Sequence, residues 1–327
     1  MNPKINEPRP NLYLIDGSGY IFRAFHAIRN SMTNSKGLPT NAVYGYTQML
    51  RKILNEQSPT HCVVAFDRGP PRQRLALYPA YKANRPETPE EIKAQWPFCL
   101  EITKALGVPI VDMEGVEADD LIGTLARRAE TAGFDVTIIT SDKDFYQLVG
   151  PRISLWDTMK DRRIRIPEVE ERFGVAPDRV IDVLGLMGDS VDNVPGVPGV
   201  GEKTAKTLVR EFGDVDSLLS RLDELKPGKQ RERLEENADL ARLSVTLVTI
   251  DTDVDLPLGM DDLKVGALDR EAVLALLKEL EFRQLADDIL GSAAAEPPPK
   301  KDYITVLTGK DLDALINRLK KSGGFAI

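Results

Sequence analysis

With 327 residues, 42% of them hydrophobic and 29% charged, the chain has material for a sizeable core and for more than one domain. Two cysteines, Cys62 and Cys99, are too few for a disulfide framework or a zinc site. No signal segment opens the sequence and no window reaches the roughly 18 apolar residues of a membrane helix, so a cytoplasmic protein without membrane contact is expected. The net charge of −8 taken alone disfavours nucleic acid as a partner, but the charges are not evenly spread.

Asn11 to Ile15 is a short apolar run that ends in Asp16. Ala42 to Glu56 places Val43, Tyr46, Leu50, Ile53 and Leu54 at helical spacing. His61 to Phe66 is a second apolar run and ends in Asp67. From Arg72 to Arg85 four cations (Arg72, Arg74, Lys82, Arg85) are mixed with Tyr78 and Tyr81, and no acid intervenes. Pro79, Pro86 and Pro89 break any single rigid helix there, so a mobile loop or arch over about 70–97 is expected. Leu100 to Leu106 closes a helix, and Val108 to Val111 begins a strand. Glu117 to Ala132 is amphipathic and stops at Gly133. Phe134 to Ile139 is a buried strand leading to Asp142; Ile153 to Trp156 and Arg163 to Ile166 read as short strands. This alternation predicts an α/β domain over 1–166 with a mostly parallel sheet.

Beyond Pro167 the strand signals thin out. Asp178 to Met187, Lys203 to Phe212, Val215 to Leu222, Ala238 to Thr246 and Arg270 to Phe282 read as helices, which predicts a helical second domain over 167–290. Small residues and a proline run make 291–301 a linker. A strand at Tyr303 to Leu307, a helix at Lys310 to Lys321 and a strand-like Phe325 to Ile327 read as the opening of a further domain over 302–327.

Asp16, Asp67, Asp142 and Asp144 all follow strands, at the sheet edge where α/β folds place ligands. An aspartate after one strand also serves as a turn or cap residue, but several at one edge suggest a shared purpose. Glu117, Asp119 and Asp120 open a helix, where acids favour the dipole, yet three exceed the needs of one cap. Asp189 and Asp192 stand three apart, so one helical turn would face both the same way. All nine offer hard oxygen and no His or Cys accompanies them, which selects magnesium or manganese over zinc. So many carboxylates suggest two ions, an arrangement suited to phosphodiester hydrolysis. Setting the nine aside leaves the rest of the chain close to neutral.

The segment from Arg72 to Arg85 suits phosphate contacts by Arg72 and Arg74 and base stacking by Tyr78 and Tyr81. A second nucleic-acid signal is the glycine turn from Gly196 through Gly199 and Gly201 to Lys203, Thr204 and Lys206. It leads into a helix whose N-terminal N–H groups can hold a phosphate. A solvated helix face and a plain glycine turn would look similar.

These strings resemble the 5′ nuclease domain found at the N-terminus of bacterial DNA polymerase I, within the flap endonuclease family. The matching stretches are Ile15 to His26, Tyr81 to Arg85, Gly115 to Ala126, Asp142 to Asp144 and, most specific, Gly185 to Ala205. The resemblance runs from about Asn11 to Leu290. It implies a PIN-like core of helices around a mostly parallel sheet, followed by a helix–hairpin–helix element around Gly196 to Lys206. It implies that the nine carboxylates bind two divalent ions, that Arg23, Lys82 and Arg85 act on the scissile phosphate, and that Tyr81 positions an unpaired 5′ end. It also implies a potassium site near Val197 to Val200 and DNA that is flapped, nicked or branched, RNA-primed 5′ ends included. The expected protein is monomeric, nucleoid-associated and covalently joined to a polymerase. Gln73 departs from the pattern, standing where relatives usually carry an aromatic residue. Two rivals fit less well: a binding module without catalysis would have lost some of the acids, and a single-domain ribonuclease would lack the glycine hairpin.

Overall fold

The structure, a computed structural model, describes residues 9–28, 32–291 and 308–322. Most of the expected linker, the strand at Tyr303 to Leu307 and that at Phe325 to Ile327 lie outside them.

Six strands form one sheet in the order β3-β2-β1-β4-β5-β6. They are β1 (Asn11–Asp16), β2 (His61–Ala65), β3 (Ile110–Val111), β4 (Asp135–Ile139), β5 (Ile153–Asp157) and β6 (Arg162–Ile164). All pair in parallel except β5 with β6. The near-continuous apolar runs of β1 and β2 are buried throughout, as strands covered on both faces must be. Cover comes from α1 (Gly17–Ala27), α2 (Asn41–Gln57), α4 (Glu90–Ala105) and α5 (Ala118–Thr131), while α3 (Arg72–Leu77) buries no residue. Strand order reverses at β1, with β2 on one side and β4 on the other, which opens a crevice at the carboxyl ends of these strands.

The glycine-rich start of α1 has a packing reason. A side chain at Gly17 would collide with Phe66 and Val64 of the neighbouring strand region. Asp16 supplies the missing start signal, accepting a hydrogen bond from the Gly19 N–H at 2.8 Å.

After β6 the chain is helical: α6 (Ile166–Phe173), α7 (Val180–Met187), α8 (Glu202–Phe212), α9 (Val215–Ser220), α10 (Lys229–Glu236), α11 (Ala238–Val248) and α12 (Arg270–Glu279). α7 packs on α11 at Gly185, where a Cβ would run into Val245. The residues to Phe282 make one compact unit, and a single apolar cluster runs from Leu12 to Leu263. Both cysteines are buried core thiols. The residues from Arg283 onward form a separate unit that contains α13 (Arg283–Leu290) and α14 (Gly309–Ser322). Among the described residues no helix is long and apolar enough to cross a membrane.

Candidate metal centre and nucleic-acid interface

The sheet edge collects the strand-end acids. Asp16 closes β1 and caps α1. Asp67 accepts a hydrogen bond from the Ala118 N–H at 2.9 Å, so this acid caps α5. Glu117 makes no capping bond itself, so the acids at the start of α5 are not needed as its caps. Asp142 accepts from the Asp144 N–H at 3.0 Å, and Asp144 Oδ1 is buried without a partner.

These carboxylates feel one another. Burial first, then Asp67 and Asp142, push Asp16 up to about 6. Burial and Asp142 push Asp144 up to about 8. Burial, Asp142, Asp16 and Asp67 push Asp119 well above the carboxylate range. Among the described residues no three such groups close round one point as a finished ligand cage. The donor set is nevertheless all hard oxygen, crowded by like charge, with one buried oxygen unpartnered. That chemistry fits a hard divalent cation.

The remaining acids already have cations. Lys82 Nζ donates to Glu117 and lies 3.6 Å from Asp192. Burial opposes the charge of Lys82, but Glu117, Tyr81 and Asp192 outweigh it and raise its pKa. Arg85 pairs with Asp192. Lys143 Nζ, from the Asp142 to Asp144 motif, reaches Asp189 at 2.7 Å. Arg23 donates to Ser141 Oγ and stands 3.8 Å from Asp157. Asp157 is one more acid at the end of a strand, and the signal that picked out Asp16 was available for it too.

Four of the expected site residues have partners within the protein in this structure. Arg74 points inward, its side chain 11% exposed. It donates to Asp120 at 2.6 and 2.8 Å, to Glu117 at 2.5 Å, and to the carbonyls of Leu247 (3.0 Å) and Thr249 (2.8 Å). Asp120 is engaged as well, since its Oδ1 also accepts from the Asp251 N–H; in this structure its oxygens anchor Arg74. Tyr81 is 5% exposed, its hydroxyl 3.4 Å from Glu117, so its ring is not open to stack on a base. Lys206 donates to Glu202 and to the Arg172 carbonyl. Arg72, Gly199, Gly201 and Lys203 are exposed, and Tyr78 and Thr204 are half-buried. The 72–85 segment is the short helix α3 followed by a turn. Its tie to the protein interior through Tyr81 and Arg74 replaces the free loop expected from the prolines.

The hairpin before α8 is tight. Val200 N–H donates to Val197 O at 3.0 Å, Val197 N–H to Leu186 O at 2.9 Å, and Gly196 N–H to Ser244 Oγ at 3.0 Å. Gly199 has φ +79°, and a Cβ there would strike the Arg233 guanidinium. This places Arg233 of α10 beside the exposed turn, a cation that no spacing in the sequence connects to it.

A sheet edge of crowded carboxylates, faced by lysine and arginine and followed by a helical hairpin module, defines an α/β protein with a candidate cation site. The family model described as 5′-3′ exonuclease, N-terminal resolvase-like domain, matches residues 11–174, and that described as 5′-3′ exonuclease, C-terminal SAM fold, matches 175–271. The chain belongs to the 5′-3′ exonuclease family. It is 45% identical over 317 residues to DNA polymerase I of Rhizobium leguminosarum, covering 93% of this chain and 31% of that one. It is 37% identical to the 5′-3′ exonuclease of Aquifex aeolicus, covering 85% of this chain and 94% of that one. The chain thus spans about a third of the length of its DNA polymerase I relatives. In fold it resembles the bacteriophage T5 D15 flap endonuclease, solved as a pseudo-enzyme-product complex with DNA and metal ions. That match has TM-score 0.64 and 24% identity over 86% of this chain and 98% of that one. The catalytic core of Rad2 in complex with DNA substrate aligns at TM-score 0.58 and 18% identity, over 86% of this chain and 92% of that one.

Proposed function

We propose that the chain is a structure-specific, divalent-metal-dependent 5′ nuclease that hydrolyses DNA at the junction of single strand and duplex, including 5′ flaps and RNA-primed ends. The observation that carries this reading is the set of Asp16, Asp119, Asp142 and Asp144, crowded at the carboxyl edge of the sheet opposite Lys82, Arg23 and Arg85. The carboxylates Asp16, Asp67, Glu117, Asp119, Asp120, Asp142, Asp144, Asp189 and Asp192 would hold two magnesium or manganese ions. When bound, such ions stabilise charge that develops on a phosphate. Lys82, Arg23 and Arg85 orient the scissile phosphate and offset its negative charge. The α/β part to residue 166 supplies the chemistry, and the helices to 290 grip the duplex. Gly199, Gly201, Lys203 and Thr204 present backbone and charge to phosphates, a contact independent of sequence and weakened by salt. Carbonyls at Val197 to Val200 are the candidate potassium ligands. Products carry 5′-phosphate and 3′-hydroxyl ends. In the cell the reading places a monomer in the cytoplasm, joined to a polymerase and removing primers and flaps.

The test is cleavage of a 5′-flap DNA with Mg²⁺ and with EDTA, beside Asp119→Asn. Cutting at the junction that needs Mg²⁺ and is lost in the variant is expected. Tight flap binding without cutting under any divalent ion would sink the enzyme reading and leave a junction-binding module.

A smaller change probes the same edge. A Cβ at Gly19 would fall on the Asp16 carboxylate, and moving that group is the easiest relief. Gly19→Ala is expected to slow cleavage by about tenfold or more. The melting temperature should change little, because the helix preference of alanine and the loss of the Asp16 cap on the Gly19 N–H are each about 1 kcal/mol and opposed. Full activity in the variant would show that the position of Asp16 is not critical.

A further inference from the structure

The turn that carries Lys82 and Arg85 is fastened to the loop that carries Asp189 and Asp192 by three hydrogen bonds without charge. Lys82 N–H donates to Asp192 O at 2.9 Å. Asn193 Nδ2 donates to Ala80 O at 2.6 Å, and Asn84 Nδ2 to Ser190 O at 2.6 Å. The acidic loop closes on itself through the main chain, between Asp189 and Val194, at 2.9 and 2.7 Å. Facing each other across this seam, Lys82 and Asn193 hold φ of +58° and +55°. Asparagine tolerates that left-handed region, but lysine rarely adopts it, and at Lys82 it persists only where the surroundings impose it.

We propose that Asn193, seconded by Asn84, is a positioning residue that keeps the Lys82 ammonium at the reacting phosphate. The inference rests on the nuclease reading above. In this structure Lys82 and Arg85 are also held by ion pairs to Glu117 and Asp192. A substrate phosphate competes for those same cations, so the ion pairs cannot hold the turn while the cations serve the phosphate. The three neutral bonds do not compete. Tyr81 apart, the residues from Lys82 to Glu87 bury too little apolar surface to fix the turn by packing. The asparagines therefore set where Lys82 stands once its carboxylate partners are shared.

Asn193→Gly tests this cleanly. Glycine keeps the left-handed backbone without steric cost and deletes only the amide. Single-turnover cleavage of a 5′-flap DNA, with enzyme in excess and Mg²⁺ present, is measured beside flap affinity for four proteins: wild type, Asn193→Gly, Lys82→Ala and the double variant. Asn193→Gly is expected to slow cleavage about 10–100-fold with affinity within about twofold. In the Lys82→Ala background the same change should cost less than about threefold, because the group it positions is gone. Asn84→Ala, at an exposed site, should repeat the pattern with a smaller loss, and it carries the cycle if Asn193→Gly melts below the assay temperature. Equal losses in both backgrounds, a loss explained by weaker binding, or an unchanged rate would each overturn the proposal. Failure of the wild type to cut the flap would instead strike at the nuclease reading.

Discussion

Asp144→Asn is expected to abolish flap cleavage and, at pH 8, to make the metal-free protein more stable. The two effects share one cause. Asp144 has a buried oxygen without a hydrogen-bond partner and is pushed up to about 8 from 3.8, by burial first and then by Asp142. A carboxyl with a raised pKa binds its proton more tightly when folded than when unfolded. Its contribution to stability is therefore full below the unfolded value of 3.8 and is lost as pH rises through about 8. Asparagine removes that loss. The variant should gain about 1–2 kcal/mol over wild type at pH 8, a few degrees in Tm, and the gain should shrink toward pH 4. Mg²⁺ should raise the Tm of the wild type more at pH 8 than at pH 6, since cation and proton compete for the same oxygens, and should raise that of the variant less. On the proposed metal-nuclease reading, loss of this oxygen removes several kcal/mol of transition-state stabilisation, on the order of 10³-fold in rate. Thermal melts of both proteins across pH 4 to 8, with EDTA and with Mg²⁺, decide the point. A variant that melts lower at pH 8 and still cuts would show that Asp144 is an ordinary structural acid.

The strand-end acids were legible because a strand covered on both faces writes itself as an unbroken apolar run, and the first acid after it marks the edge of the sheet. Asp16, Asp67 and Asp142 needed nothing more. Helix α1 was not legible, because Gly17, Ser18 and Gly19 read locally as a loop. Its reason is tertiary: Phe66 and Val64 leave no room at Gly17, and Ser18 Oγ accepts from the Asp67 N–H at 3.1 Å. The direction of each cation was also beyond reach. Arg72 and Arg74 are two residues apart in one basic run, yet the first faces solvent and the second the interior, and nothing local separates them. The partners of Arg74 lie 43 and 46 residues along the chain at Glu117 and Asp120, and 173 and 175 at Leu247 and Thr249. Contacts of that range follow from packing and leave no spacing to read. The burial of Tyr81 was beyond reach for the same reason: an aromatic beside a lysine suits stacking on a base and suits the core equally well.

Arg74→Ala is expected to be among the most damaging single changes in the α/β part. The side chain is 11% exposed, and its partners Glu117 and Asp120 are 6% and 7% exposed. Burial disfavours the charge of Arg74, but the bond to Asp120 and the charges of Glu117 and Asp120 more than compensate and raise its pKa. Removing it leaves buried Asp120 with no cation, deprives buried Glu117 of one of its two, and frees the carbonyls of Leu247 and Thr249; breaking a buried pair in this way costs about 3–5 kcal/mol. A fall in Tm of roughly 10 °C follows, together with loss of cleavage, because Glu117 is the acid that Lys82 meets. Arg74→Lys should recover little, since an ammonium cannot span two carboxylates and two carbonyls as a planar fork does. Arg72→Ala is the contrasting control. That side chain is 71% exposed and reaches Glu114 only at 3.4 Å, so stability should change by less than about 0.5 kcal/mol. As an outward cation it should instead weaken flap binding and reduce the salt dependence by about one phosphate contact. Melting curves and salt-dependent binding of the two alanine variants separate the roles. If Arg74→Ala melts like wild type and loses only salt-sensitive affinity, Arg74 is a phosphate contact after all and its inward pose is not the working one.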